Sequence, residues 1–407
     1  MPGYGARFWA DRTASSRRRT FPKFKGQSSA DVVVIGGGLT GCTIAYVLAQ
    51  GGLDVILLEA DRLAAGSTAG SIGASLPQPD AWFRAVEKTA GVRVARIAWK
   101  EARKSSKEFA AALKKLGIKC DLDATSLAIN ARTTDDAAAL KKEQAARRAA
   151  GVETPWLSKE AARAALSTDT AGAIRLSDAY TFDPVRATLG FAGLAVDRGA
   201  KIFEQSPVRK TTFTRKYADV VLATGKIRTR GIVVATGEPG SLFGQLRRHV
   251  TEQDGFVVVT APMPAAVRRE AGSRKNVLTE FGDDARWVRW MPDDRAMFAG
   301  ALSKRAPARL RDKIVVQKTA QLMYELTLRY PAISGMPAEW GWSEPVVSTP
   351  DSIPWIGPHR NYPFHFFAMA FGWHGDGLAW MAGKAALRYF KGEARREDDA
   401  FSFARYL

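Results

Sequence analysis

The run Asp31-Val-Val-Val-Ile35 is apolar at consecutive positions and β-branched, the pattern of a parallel strand buried on both faces. It enters Gly36-Gly-Gly-Leu-Thr-Gly41, and a helical pattern follows to Gln50, where Gly51-Gly52 ends it. Asp54-Val-Ile-Leu-Leu-Glu59 has the character of a second strand and completes a βαβ unit. Residues 82–116 and 134–150 predict helices rich in Ala, Lys and Arg. Asp183-Pro184 predicts a helix start, because Asp caps and Pro fits the first helical position without losing a needed N–H. That helix should run to Arg198, with Gly199 at its end. Strand character returns at Lys201–Phe203, at Val208, and at Tyr217–Ala223 and Ile227–Ala235, the last two joined by Thr224-Gly225-Lys226. Gly255–Thr260, Trp287–Met291 and Met297–Gly300 make residues 250–300 β-rich, and a helix is expected over 312–330. Phe366–Ala370 reads as a strand that passes through Gly372-Trp-His-Gly-Asp-Gly377 into a helix ending near Phe390. Residues 1–29 are polar and basic and predict an arm laid over the surface.

The first glycine turn carries chemistry. Gly36, Gly38 and Gly41 fall between a strand and a helix, where they serve a tight turn, room for a pyrophosphate and close helix–strand contact. The helix start, with Leu39 and Thr40, presents free N–H groups and partial positive charge to phosphate. Glu59 ends the second strand, placed to accept hydrogen bonds from ribose hydroxyls and to repel a 2′-phosphate, which disfavours NADP. After Ala60, the small-residue run Ala65-Gly-Ser67-Thr68-Ala69-Gly70-Ser-Ile-Gly-Ala-Ser75 lets backbone N–H groups approach a phosphate or ring; a plain linker would look the same.

Composition narrows the classes. Hydrophobic residues make up 46% of the 407, which supports a sizeable core and roughly two domains. The formal charge of +19 favours anionic partners or simply a basic, solvated surface. Its one dense cluster, Arg17, Arg18, Arg19, Lys23 and Lys25, comes with no zinc spacing or aromatic RNA motif, so no nucleic-acid partner is expected. Two cysteines, Cys42 and Cys120, make no disulfide framework, and no Cys/His cluster points to a metal. No signal-peptide core and no long apolar span is present, so a cytoplasmic location without a transmembrane segment is expected.

These motifs, in this order, resemble the D-amino-acid-oxidase-like FAD-dependent oxidoreductases, which include glycine and sarcosine oxidases and gamma-glutamylputrescine oxidase. The resemblance spans Asp31 to about Phe390. It takes in Asp31–Ala60, Ser67–Gly70, Asp183-Pro184, Ser206-Pro-Val208, Val233-Val-Ala-Thr236-Gly237, Asp351-Ser-Ile-Pro-Trp-Ile-Gly357-Pro and Gly372–Gly377. The arm, with Phe8-Trp9 and Phe21-Pro22, is loosely similar to the gamma-glutamylputrescine-oxidase branch. The resemblance implies an α/β chain, α+β overall, with a Rossmann-like FAD-binding domain and a discontinuous substrate domain on a mostly antiparallel, mixed sheet. The implied boundaries are an arm over 1–29, an FAD domain over 30–85, 158–243 and 341–407, and a substrate domain over 86–157 and 244–340. It further implies that Glu59 binds the adenosine ribose and Val208 the adenine. Gly357, Gly372, Gly375, Asp376, Gly377 and Leu378 would then lie around the flavin ring, where a helix start near Gly377 stabilises negative charge.

The family oxidises a C–N bond of an amine or amino acid by hydride transfer to flavin N5, and the imine hydrolyses. The implied partners are such a small molecule and O2 or another electron acceptor. His374 is either a base for the substrate ammonium or a packed histidine beside the flavin. Asp376 either tunes it or caps the helix. Arg289 either clamps a substrate carboxylate or is a surface residue, with Arg286 and Arg295 as rivals. Trp373 heads a set with Trp287, Trp290, Trp342 and Trp355 that offers ammonium-binding faces or core packing. Phe298 falls near the place of an oxygen-activating lysine of the sarcosine-oxidase relatives, which leaves a dehydrogenase open. Ser343–Gly357 has no cysteine, which implies non-covalent FAD. Two other readings stand beside this one: a 2-hydroxy-acid or polyol dehydrogenase on the same fold, and a flavin-bearing anion-binding module without catalysis.

Overall fold

The computed structural model describes residues 4–12, 19–272, 275–282 and 284–406. The chain begins with α1 (Phe8–Arg12), β1 (Gly26–Ile35), α2 (Leu39–Gln50), β2 (Val55–Leu58), α3 (Ser67–Gly70) and β3 (Ala74–Ser75). Next come α4 (Phe83–Lys115), β4 (Asp123–Ala131), α5 (Thr134–Ala149), β5 (Trp156–Leu157), α6 (Lys159–Leu166), β6 (Gly172–Thr181) and α7 (Pro184–Asp197). Four strands follow: β7 (Lys201–Phe203), β8 (Val208–Phe213), β9 (Ala218–Leu222) and β10 (Gly225–Gly237). Then come β11 (Thr251–Thr260), α8 (Ala265–Glu270), β12 (Val277–Glu280), β13 (Trp287–Trp290), β14 (Ala296–Lys304) and α9 (Arg311–Arg329). The last elements are β15 (Ala338–Ser348), β16 (Trp355–His359), β17 (Tyr362–Met369) and α10 (Leu378–Lys391).

The strands form two sheets. The first has the order β16-β17-β10-β1-β2-β7, with β8 and β9 attached to β10. From β17 to β7 its neighbours are parallel, and β16 closes one edge antiparallel. Burial on both faces explains the apolar run of β1. Val32 and Val34 pack with α2, α7 and α10, whereas Val33 and Ile35 pack on the opposite side with β9 and β17.

The second sheet has the order β15-β11-β14-β13-β12-β4-β6-β3 and is antiparallel except where β12 meets β4. It is therefore mixed, as expected. Its outer face, with Val258, Val288 and Phe298, packs on α9. Its inner face, with Val257, Val259, Ala299 and Trp342, packs on Ala64, Ala69 and Ile72 of the α3 segment. The small-residue run thus lies against the inner face of the second sheet.

Local signals explain several elements. Asp183 caps α7, its side chain accepting from Arg186 N at 3.0 Å. Helix α4 is interrupted at Gly91, whose φ of 85° is not helical. The start of α4 has no side-chain cap of its own; instead Glu143 of α5 accepts from Phe83 N at 2.6 Å and Arg84 N at 3.1 Å. Glu143 also pairs with the buried Arg147, which donates to Gln78.

One expectation changes. The composition of residues 1–29 predicts a surface arm, but Phe8, Trp9 and Phe24 are buried in the core. Their apolar side chains outweigh the polar average around them. Arg17 and Arg18 of the basic cluster lie outside the described residues. Strands β4, β6 and β15 carry too many polar and small residues to stand out by pattern, and pairing in the second sheet defines them instead. Among the described residues, no helix is long and apolar enough to cross a membrane, and no His, Cys, Asp and Glu group is placed to hold a metal ion.

Candidate active site

Strand β1 delivers the chain to Gly36, whose φ of 109° is left-handed. A Cβ there would lie 2.5 Å from Ala235 O in β10. Both facts demand glycine. At Gly41 a Cβ would overlap the carbonyl oxygen of Gly36, so helix and strand cross at backbone contact. Gly38 starts α2 without any side-chain cap of its own, which leaves the first N–H groups of the helix turned toward a long cavity. One of them, Leu39 N, donates to Thr68 Oγ1 at 2.9 Å. Glu59 accepts from Gly37 N at 2.6 Å and from Asp61 N at 2.8 Å, which fixes its carboxylate at the end of β2.

The cavity begins at Glu59, Ala60 and Val208, passes Gly36–Thr40, Thr236 and Gly237, then Ser67–Ser71, and ends at Gly372, Trp373, Gly375 and Asp376. At this far end Trp373 N donates to Asp80 Oδ2 at 2.7 Å. Burial pushes the Asp80 carboxyl above the usual carboxylate range, against the pull of that N–H. The Trp373 ring fills the space over Gly255, where any side chain would collide with it. Asp376 accepts from Ser71 Oγ at 2.5 Å. Burial pushes its pKa up to about 6, opposed by Ser71 and Arg289.

His374 is 4% exposed, its ring centroid 3.5 Å from that of Trp287. Neither ring nitrogen has a hydrogen-bond partner, and burial holds its pKa well below the ordinary histidine value. The imidazole is therefore neutral, with its hydrogen-bonding capacity unspent. Behind it α10 starts at Leu378, and Ser105 of α4 braces the turn, donating to Gly377 O at 2.7 Å and accepting from Met381 N at 3.2 Å.

Arg289 is 2% exposed. Its Nη1 donates to the carbonyls of Ile72, of Gly73 (2.9 Å) and of Phe182 (3.0 Å). The guanidinium lies 4.9 Å from the Trp9 ring, and burial pushes its pKa down to about 10. Its rivals are engaged as well. Arg286 pairs with Glu325 and Asp284, and Arg295 with Glu339 and Asp293.

Several expected residues lie off the cavity. Gly41 is at the strand–helix crossing and Ala69 is packed under the second sheet. Gly357 faces Ser402, Gly377 faces Ser75, and Leu378 is buried in the helical layer. His374 and Arg289 stand behind the lining. Among the tryptophans, Trp290 faces Tyr330 near α9 and Trp355 stacks on Phe403, both away from the cavity, while Trp342 donates to Gly70 O at 3.2 Å.

Phe298 requires a correction: it faces α9 with Arg329 over its ring, on the outer face of the second sheet. Strand alternation turns Met297 and Ala299 inward instead, so Phe298 carries no information about the oxygen reaction. Sequence reasoning also missed Ser71, Arg305 and Glu344 in the lining. Ser71 lies within the small-residue run, whereas Glu344 sits in a strand whose pattern gave no signal.

A family description, DAO: FAD dependent oxidoreductase, matches residues 31–388. The chain belongs to this family of FAD-dependent oxidoreductases. Among curated relatives, the DAO-family chain is 25% identical over 385 residues to the probable oxidoreductase OrdL of Haemophilus influenzae, covering 92% of this chain and 86% of that one. It is 21% identical over 388 residues to gamma-glutamylputrescine oxidoreductase of Escherichia coli, covering 95% and 89%. Glycine oxidase from Geobacillus kaustophilus shares the fold, with a TM-score of 0.77 at 19% identity, covering 93% of this chain and all of that one.

The cofactor of this DAO-family chain is FAD, and its residues fit the molecule. The Gly36 turn is a cradle that a Cβ would fill, the uncapped start of α2 faces the cavity, and the cavity continues without interruption from Glu59 to Trp373. Cys42 and Cys120 are both buried, and burial raises both thiols well above their ordinary pKa, Cys120 to about 12.

Proposed function

We propose that this chain oxidises the C–N bond of an amine or amino acid, giving an imine that hydrolyses. The observation that carries the reading is His374: a buried neutral imidazole with both nitrogens unspent, one residue from Trp373 in the lining. Bound FAD supplies the two-electron acceptor. The residues of the chain do the rest. The Gly36–Thr40 turn and the start of α2 hold the pyrophosphate, and Glu59 holds the adenosine ribose. Trp373 excludes water and offers its face to an ammonium group, and Trp287 backs His374. His374, directly behind Trp373, offers Nδ1 or Nε2 as an unspent acceptor toward the substrate nitrogen, which would favour the neutral amine. Arg289 does not grip a carboxylate in this reading. It positions the Ile72–Gly73 backbone, because its Nη1 is spent on three carbonyls. FAD is held without a covalent bond, since neither cysteine belongs to the lining.

Steady-state turnover with an artificial electron acceptor tests the reaction class. Amines should yield a carbonyl product, with a released amine or ammonia, in step with acceptor reduction. Turnover driven by 2-hydroxy acids or polyols, with amines inert, would overturn it.

A further inference from the structure

Glu344 stands out at the reacting end. It is 5% exposed and lines the cavity, and its carboxylate meets Arg7 and Ser67. In the sheet it lies opposite Gly255 of β11, the residue on which the Trp373 ring rests. The carboxylate and the indole therefore flank one patch of the inner face, and Trp373 Nε1 is buried without a partner. On its outer side Glu344 Oε2 meets Arg7 Nε at 3.0 Å, off line for a hydrogen bond. Arg7 also donates to Ala65 O at 2.6 Å. The Arg7 side chain is 29% exposed against 6% for Glu344, so the arginine stands between the carboxylate and solvent. Ser67 is beside the pair.

Three carboxyl groups gather at this end of the cavity, all with their pKa raised by burial. Glu344 and Asp376 line the cavity and Asp80 lies against Gly372. The nearby guanidinium groups are engaged: Arg289 with backbone carbonyls, Arg305 with Glu238, Glu252 and Asp254, and Arg7 with Glu344. A substrate carboxylate would have to break the Arg7 or Arg305 pairs or reach Arg289 behind the lining, where Nη1 is spent and Nε is unpartnered, whereas an ammonium group meets acceptors and the Trp373 face.

We infer that Glu344 anchors a second ammonium group of the substrate, remote from the nitrogen that is oxidised, so that the preferred substrate is a diamine or longer polyamine. This rests on the amine reading of the site. Arg7, on Oε2, and Ser67 are the resident competitors, which the incoming cation displaces or with which it shares the carboxylate. Glu344 sets selectivity and Arg7 tempers it.

The test uses the FAD-loaded enzyme with Glu344→Gln and, separately, Arg7→Gln. The readouts are kcat/KM for an α,ω-diamine against the monoamine of equal chain length, and equilibrium binding of a bis-quaternary diammonium compound, which cannot be oxidised at an N–H carbon, followed by thermal shift. Loss of one charge-assisted contact should lower the diamine-to-monoamine ratio of Glu344→Gln by about 10- to 100-fold, and Arg7→Gln should raise it. Dication affinity should move in the same two directions, an opposition that general destabilisation cannot produce. An unchanged ratio in Glu344→Gln, a shift of both variants in one direction, or loss of FAD from Glu344→Gln with selectivity intact in the remaining holoenzyme overturns the anchor. If wild type binds the dication through Glu344 yet turns over no amine, the anchor stands and the C–N reading fails.

Discussion

Single residues at the reacting end carry opposite signatures of function and stability. His374 makes no hydrogen bond in a buried site, an arrangement that costs the fold and that the proposed chemistry would use. His374→Leu should therefore lower kcat by about 100- to 10,000-fold while the melting temperature stays level or rises. A variant that loses stability but keeps kcat would make His374 a packing residue. Asp376 gives a pH signature. Its carboxyl stays protonated in the folded chain up to about pH 6, whereas the unfolded chain ionises it near 3.8. Between those values the unfolded state releases its proton first, so this group's stabilising contribution is present below the lower value and is lost as pH rises through the upper one. The loss at pH 7 is at most about 3 kcal/mol. In the apoprotein, Asp376→Asn should match wild type near pH 4 and melt higher by pH 7; parallel melting curves across that window would remove the assignment. The placement of Glu59 at a strand end and of the glycines in a tight turn was legible in the sequence because it depends on spacing alone. Glu344 and Arg289 were not, because their surroundings come from residues far away in the chain.

At the level of elements, the crossing of β1 and α2 depends on missing side chains. Gly41→Ala would force the helix off Gly36, so the purified variant should contain little FAD, as its absorbance near 450 nm would report. The α4–α5 junction depends on charge instead. Glu143 satisfies the start of α4 and neutralises Arg147, with both partners buried. Glu143→Ala leaves a buried guanidinium unpaired and should cost roughly 3 to 5 kcal/mol, read as a lowered urea midpoint. Elements with strong periodicity or punctuation were readable from residues alone: the βαβ start, the Asp183-capped helix and the hairpin at Gly225. Strand β15 was not. Pro345 interrupts it, and its edge position, paired at that point with β11, tolerates that proline. Sequence patterns discount such a strand, and with it went Glu344.

At the scale of the whole molecule, a long cavity runs between the two sheets, and the N-terminal segment ties the parts together. Trp9 packs in the second sheet's core and donates to Ser71 O at 2.7 Å, while Phe21 N and Phe24 N donate to Glu204 and Ser206 near the Glu59 end of the cavity. Trp9→Ala should cost roughly 3 to 5 kcal/mol and loosen FAD retention in gel filtration; unchanged stability would return the segment to the surface. Composition hid this role, since basic residues dominate the segment's average while three aromatic side chains set its place. Net charge was equally uninformative about chemistry: a chain of +19 presents carboxylates at its reacting end. The most direct test of the account is anaerobic mixing of the purified yellow protein with matched panels of amines, amino acids and hydroxy acids. Bleaching of the flavin band by members of the nitrogen-bearing panels, with the hydroxy acids silent, is the expected result. Bleaching by hydroxy acids alone, or by none of the three, would contradict it.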